Sequence, residues 1–259
     1  MKVVIFAGGL GTRLSEETNL IPKPMIEING KPILWHIMKI YEKYNHTDFV
    51  ILVGYKSYFI KEYFVNYFLH QSDVTIDLAT NNVSYISNTS EPWRVTLLDT
   101  GSDSQTGTRL LKAQKYIENE PFLLTYGDGL SDIDMNKQLE FHHSKNALVT
   151  MTAVQPAGRF GSFRADETTS QVSDFVEKPA GDGSWINGGF FICEPSILNH
   201  IPADKNVAFE DFPLQNIAKL GKLYSFYHNG FWKCMDTLRD KNELNELAMS
   251  SPCWLNNVV

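Results

Sequence analysis

Val3-Val4-Ile5-Phe6-Ala7-Gly8-Gly9-Leu10-Gly11-Thr12-Arg13-Leu14 is the stretch from which the fold is read. Five consecutive apolar, β-prone residues bounded by two glycines describe a strand buried on both faces, the habit of a parallel sheet covered by helices. The glycines that follow put a loop at the strand's C-terminal end. Open α/β sheets gather ligands there, because backbone N–H groups converge outside the strand ends.

Working outward, residues 32–44 place apolar side chains at helical spacing behind Pro32, which suits a first helical turn, and residues 49–53 read as a second buried strand. Residues 56–70 are expected to be helical. A polar, alternating region from about 73 to 104 reads as hairpin-like. Beyond it the pattern resumes: a helix over 107–118, a strand over 122–126, a helix over 134–144 and a strand over 147–154. Short strands at 172–176, 189–193 and 223–227, a helix at 209–220 and a last helix from Thr237 complete the chain. Strands alternating with helices imply βαβ units. The expected fold is therefore α/β: a Rossmann-like mixed, mostly parallel sheet flanked by helices, with a small β-rich addition, over one domain spanning 1–259.

Composition narrows the function. A net charge of −7 over 259 residues argues against a nucleic-acid surface, which needs clustered Lys and Arg. An anionic ligand must then meet a local basic pocket. Cys193, Cys234 and Cys253 are too scattered for a disulfide framework, so a reducing cytoplasm is expected. The apolar run of residues 3–7 is too short for a signal-peptide core or a membrane span, and no membrane partner is expected.

A Gly-rich loop by itself also reads as a tight strand-to-helix turn. Arg13 shifts that reading, because a guanidinium can fork onto phosphate oxygens where a turn needs no charge. Ten residues on, Pro22-Lys23-Pro24 sets a lysine between two residues of fixed φ, expected to present it on an extended segment. The loop is not a dinucleotide fingerprint and lacks the Gly-Lys-Ser/Thr of a P-loop.

Acidic candidates lie downstream. Asp128, in Tyr126-Gly127-Asp128-Gly129, follows the apolar strand at 122–126 and should emerge at the same sheet edge as the first loop, although Gly-Asp-Gly is also good turn chemistry. A magnesium ion is held by one or two carboxylates with phosphates and water, so a second acid is wanted from elsewhere. Asp236, which only the family resemblance given below supplies as that acid, precedes Thr237-Leu238-Arg239-Asp240, which reads as a capping box, and could serve only the helix dipole. Convergence of the two acids decides between these readings.

Gly8-Gly9-Leu10-Gly11-Thr12-Arg13-Leu14 followed by Pro22-Lys23-Pro24 resembles the signature of the sugar-phosphate nucleotidyltransferases. The likeness extends through Glu91-Pro92-Trp93, Arg159-Phe160-Gly161 and Met235-Asp236-Thr237-Leu238-Arg239-Asp240-Lys241. It implies the nucleotide-diphospho-sugar transferase type of fold and, more narrowly, CTP and glucose 1-phosphate as substrates, with Mg²⁺ on Asp128 and Asp236. Arg13 and Lys23 would neutralise the triphosphate as catalytic groups beside the two acids. Phe6, Ala7, Gly8, Gly9, Gly11, Thr12, Thr106, Gly107 and Arg109 would line the nucleotide. Glu177, Lys178, Asn187 and Gly188 would take the sugar phosphate, and a homo-oligomer is expected. One departure is visible: Ile21 stands where the related cytidylyl-transferring enzymes have the first lysine of Lys-Pro-Lys-Pro, so Lys23 must act without it.

Two features read as uninvolved. His142-His143 are adjacent on a helix and cannot share a metal, which suggests surface histidines. Trp93 and Trp232 could line a sugar or base site, but lone aromatics are first expected in the core.

Overall fold

The computed structural model describes residues 1–87, 90–117, 119–156, 158, 162–165, 169, 171–176, 184–250 and 252–255. Seven strands form the central sheet, in the spatial order Leu223–Tyr227, Val149–Val154, Ile186–Cys193, Phe122–Tyr126, Lys2–Ala7, Asp48–Val53, Arg94–Asp99. Ile186–Cys193 runs antiparallel to both its neighbours, and the other pairings are parallel.

The period of two along each strand divides the core between the two faces. Val3, Ile5 and Ala7 join Phe49, Ile51 and Val53 under the helix Ile33–Glu42, while Val4, Phe6, Val50 and Leu52 face Leu110, Phe209 and Ile217. Burial on both faces is why the first strand reads as an unbroken apolar run.

From Lys2–Ala7 the chain adds Asp48–Val53 and then Arg94–Asp99 on one side, and returns to the other side with Phe122–Tyr126. The strand order therefore reverses between Lys2–Ala7 and Phe122–Tyr126. A crevice opens outside the C-terminal ends of strands at such a point. Gly8 and Gly127 follow those two strands directly.

Three local expectations are corrected. The region read as hairpin-like contains one hairpin, Val74–Asp77 with Asn82–Tyr85, but Arg94–Asp99 is the parallel edge strand of the main sheet. Its half-exposed edge position gives it the alternating polarity of a hairpin arm. The helix expected over 56–70 breaks at Asn66 into Ser57–Val65 and Tyr67–Gln71. His142 is buried rather than on the surface, because the helix Met135–Lys145 turns Met135, Gln138 and His142 towards the sheet. Its Nδ1 lies 2.8 Å from Thr150 Oγ1 and its Nε2 lies 3.3 Å from Glu194 Oε1. Burial lowers its pKa.

Trp93 packs among Trp35, Phe49 and Tyr67, a core role as its sequence suggests. Among the described residues, no helix is long and apolar enough to cross a membrane.

Candidate active site

The loop after the first strand turns on Gly11, whose φ of 63° is a left-handed value that glycine adopts freely. A side chain there would also lie 2.8 Å from Thr18 Cγ2. Thr18 closes the loop by donating from Oγ1 to the carbonyls of Gly11 and Leu14, at 3.1 and 3.0 Å. Lys23 lies in a short 3₁₀ turn, Lys23–Met25, entered from an extended Pro22, so the lysine is presented by a turn rather than by the extended segment expected. The turn forms because Met25 and Ile26 donate their amides back to the carbonyls of Pro22 and Lys23.

A small antiparallel pairing delivers the second acid. Trp232–Cys234 pairs with Gly129–Ser131, with Cys234 opposite Gly129, and the Met235 amide donates to the Asp128 carbonyl at 2.9 Å. Asp236 is thereby carried alongside Asp128. The capping box forms as its sequence suggests: Asp240 N donates to Thr237 Oγ1 at 3.2 Å and Thr237 N donates to Asp240 Oδ2 at 2.9 Å. Asp236 N also donates to Asp240 Oδ2, at 3.2 Å, fixing the backbone that carries the acid.

The two acids converge. Lys23 Nζ donates to Asp128 Oδ2 and to Asp236 Oδ1, both at 2.7 Å, and Arg13 Nη1 lies 2.5 Å from Asp236 Oδ2. Burial works against the Lys23 charge, but the Asp128 and Asp236 carboxylates outweigh it and raise the pKa above the ordinary lysine value. Arg13 is highly exposed and held at one end only, a weak form of ion pair that leaves the side chain free to turn elsewhere. One donor atom each from Asp128, Cys234 and Asp236 lies within 4.8 Å of the others, so the carboxylates fit a divalent cation. The Cys234 thiol is raised by burial and by Asp128, and is held protonated.

Two cavities open from this junction. One, of about 230 Å³, is lined by Phe6, Ala7, Gly9, Gly11, Thr12, Arg13, Lys23, Thr106, Tyr126 and Asp128. The other, of about 380 Å³, is lined by Arg13, Tyr126, Asp128, Asn187, Gly188, Glu210, Trp232, Cys234 and Asp236. Glu177 and Lys178 lie outside the described residues.

Gly8, Gly107 and Arg109 do not line the first cavity. Gly107 serves packing, since a side chain there would lie 2.9 Å from the Val207 carbonyl. Arg109 is 3% exposed, on the sheet-facing side of the helix Thr106–Lys112. Its guanidinium donates to the carbonyls of Gly8 (2.8 Å), Gly101 (2.7 Å) and Ser102 (3.0 Å) and to Thr100 Oγ1 (2.5 Å). A side chain on Gly8 would meet Arg109 Nη1 at 2.3 Å, so this glycine makes room for the guanidinium. The Arg109 guanidinium thus lies beneath the loop, joining strand ends.

Tyr126 and Glu210 carry no role in the sequence reading, although both line the larger cavity. Trp232 packs against the core as its default reading has it, and it also lines the larger cavity and donates from Nε1 to the Gly188 carbonyl at 2.7 Å. Its place two residues before Cys234 and four before Asp236 was the available signal. Glu210 offered none.

Two walls meeting at paired acids and a lysine, over the point where strand order reverses, define a phosphate-handling α/β enzyme site. The comparisons narrow the class: the chain matches the family model described as Nucleotidyl transferase over residues 2–246, and it belongs to that family. It is 53% identical over 248 residues to the glucose-1-phosphate cytidylyltransferase of Salmonella typhimurium, covering 95% of each chain. It is 44% identical over 247 residues to a Bacillus subtilis protein named probable glucose-1-phosphate cytidylyltransferase, covering 95% of this chain and 96% of that one. The fold is similar to the crystal structure of HddC from Yersinia pseudotuberculosis, with a TM-score of 0.66 at 27% identity, covering 95% and 98% of the two chains.

Proposed function

We propose that this chain joins CTP to glucose 1-phosphate, giving CDP-glucose and pyrophosphate. An oxygen of the glucose 1-phosphate attacks the α-phosphorus in line. The bond from that phosphorus to the bridging oxygen of the β-phosphate breaks, and the electron pair leaves with pyrophosphate. Positioning and charge neutralisation carry most of the catalysis in such transfers, which suits a site without an obvious nucleophile. The observation that carries the reading is the convergence of Lys23, Asp128 and Asp236 where two cavities meet. The nearly full-length similarity to glucose-1-phosphate cytidylyltransferase supports the choice of substrates.

Asp128 and Asp236 would hold Mg²⁺, which supplies Lewis-acid neutralisation of phosphate oxygens. Lys23 and Arg13 take charge on the triphosphate. Thr12 and the amides of Gly9 and Gly11 cradle it, with Phe6, Ala7 and Thr106 beside the nucleoside. Asn187 and Gly188 face the sugar, and Glu177 and Lys178 take its hydroxyls and phosphate. Gly8, Gly107 and Arg109 serve the nucleotide through the loop and helix they support.

Exposed apolar residues on the helices and hairpin over 57–86, among them Val65, Phe68, Leu78 and Ile86, support a homo-oligomer. The same chemistry with UTP or dTTP is the competing reading, because base choice rests on a few hydrogen bonds.

Pyrophosphate release across four triphosphates and a panel of sugar 1-phosphates tests the proposal. CTP with glucose 1-phosphate should give the highest kcat/KM, and Asp128→Asn should abolish turnover while leaving the melting temperature intact. Preference for another pair corrects the substrates. A fully active Asp128→Asn removes the acid from the mechanism, and CTP binding without pyrophosphate release would make the chain a nucleotide sensor.

A further inference from the structure

Between the two cavities runs a hydrogen-bond chain that the proposed chemistry leaves unused. Phe209 N donates to Thr106 Oγ1 and Thr106 Oγ1 donates to Glu210 Oε2, both at 2.8 Å. Glu210 Oε1 accepts from the Tyr126 hydroxyl. Tyr126 Oη in turn receives Asn187 Nδ2 at 3.4 Å, while Asn187 Oδ1 accepts from Gly189 N at 2.9 Å.

Each member has its direction fixed. The Tyr126 hydroxyl donates to Glu210 Oε1, so its one hydrogen is spent there. Tyr126 can then only accept from Asn187. The Gly189 amide holds the Asn187 carbonyl, leaving one Nδ2 hydrogen for the larger cavity. Glu210 has about four lone-pair sites as a carboxylate and uses two, so acceptor capacity remains on that cavity's wall. The Tyr126 ring is itself wedged. A side chain on Gly189, whose φ is 79°, would lie 2.5 Å from Tyr126 Cδ2, and the ring stacks on Phe6 with centroids 5.8 Å apart.

A donor beside an acceptor, both anchored on one tyrosine oxygen, is the complement of a hydroxyl, which gives and takes a hydrogen bond at the same atom. A phosphate would suit Asn187 and be repelled by Glu210. We propose that Glu210 and Asn187 together read one hydroxyl of the acceptor sugar, Tyr126 fixing the polarity of the pair. This assigns Glu210 a specificity role and rests on the reading of the larger cavity as the sugar site.

Deoxyfluoro analogues of glucose 1-phosphate, one per hydroxyl, test the assignment, because fluorine cannot donate to Glu210. In the wild type, one analogue should lose at least about tenfold in kcat/KM beyond the others, as sites built around a hydroxyl reject analogues lacking it. In Glu210→Ala that extra penalty should shrink below about threefold, with KM for CTP changed by less than about threefold. Glu210→Gln, which keeps the shape, and Tyr126→Phe, which keeps the ring, should each reduce the penalty and guard against a folding defect in the alanine variant. Comparing the ratio of analogue to parent between wild type and each variant cancels the electronic effect of fluorine. An undiminished penalty in all three variants overturns the assignment, as does a loss confined to CTP analogues lacking a ribose hydroxyl. A wild type that turns over no sugar 1-phosphate overturns the functional reading, and the assignment with it.

Discussion

The wall formed by residues 8–25 and the wall formed around Tyr126, Asn187, Glu210 and Trp232 meet at one ion-paired junction but are held by opposite means. The first is backbone, shaped by Gly11 and pinned from below where Arg109 takes the Gly8 carbonyl. The second is a set of side chains from four separate segments, joined by hydrogen bonds through Tyr126 and Trp232. A backbone wall can follow a phosphate chain whatever the attached base or sugar. A side-chain wall can distinguish one hydroxylated ligand from another. On the proposed function, the first wall would handle charge and the second would select the sugar.

The junction belongs to both walls, and breaking it should have the largest effect. Lys23→Met would leave the Asp128 and Asp236 carboxylates facing each other without the ammonium that bridges them. Steady-state pyrophosphate release should fall by about 10³-fold with every sugar phosphate alike, the scale of losing one preorganised charge-stabilising donor. A loss that depends on the sugar would move Lys23 to the selective wall. Gly8→Ala tests the first wall alone. Its methyl group would press on the buried Arg109 guanidinium, which can retreat only by giving up its bonds to the carbonyls of Gly8, Gly101 and Ser102. Overpacking of that kind costs about 1–3 kcal/mol, read as a lower denaturant midpoint, together with a raised KM for CTP. An unchanged midpoint would show that the loop is not pinned from below.

Trp232→Phe probes the second wall at smaller amplitude. It keeps an aromatic face on the cavity and removes the 2.7 Å bond to the Gly188 carbonyl. Losing one neutral hydrogen bond is worth about 1 kcal/mol, which corresponds to about a fivefold rise in KM for the sugar phosphate. If KM for CTP rises instead, the division between the walls fails.

The same difference explains what the sequence disclosed. The first wall is contiguous, so Gly8 to Arg13 and Lys23 stood out together and a family resemblance gave them a phosphate role, while the buried strands around them follow from apolar runs. Asp128 was legible because it follows a strand, and Asp236 because a family resemblance supplied it. The bonds of Arg109 were not legible: a cation at a helix start looks the same whether it meets a phosphate or backbone carbonyls beneath a loop. Glu210 and Tyr126 were silent because their meaning lies in pairings across 84 residues. Arg94–Asp99 was misassigned because an edge strand shows water one of its sides and takes on a hairpin's alternation. His142 shows the reverse, a polar residue buried where Thr150 and Glu194 satisfy it.

The capping box at Thr237 supplies the finest test, because it touches neither wall directly. Asp240 Oδ2 accepts from the amides of Asp236 and Thr237 and from the Thr237 hydroxyl, so the helix start and the backbone of the second acid share one acceptor. Thr237→Ala removes the hydroxyl that receives the Asp240 amide and should destabilise the protein by about 1 kcal/mol, the usual cost of losing a threonine cap. Asp240 keeps its bond to Asp236 N in that variant, so the acid should stay in place and kcat should fall by less than about threefold, well under one stability-equivalent decade. Chemical denaturation and kinetics on the same sample separate the two quantities. A kcat that falls tenfold while stability is preserved would mean that Thr237 itself sets the position of Asp236. The junction would then depend on a helix cap as strongly as on the strand pairing that carries Asp236 to Asp128.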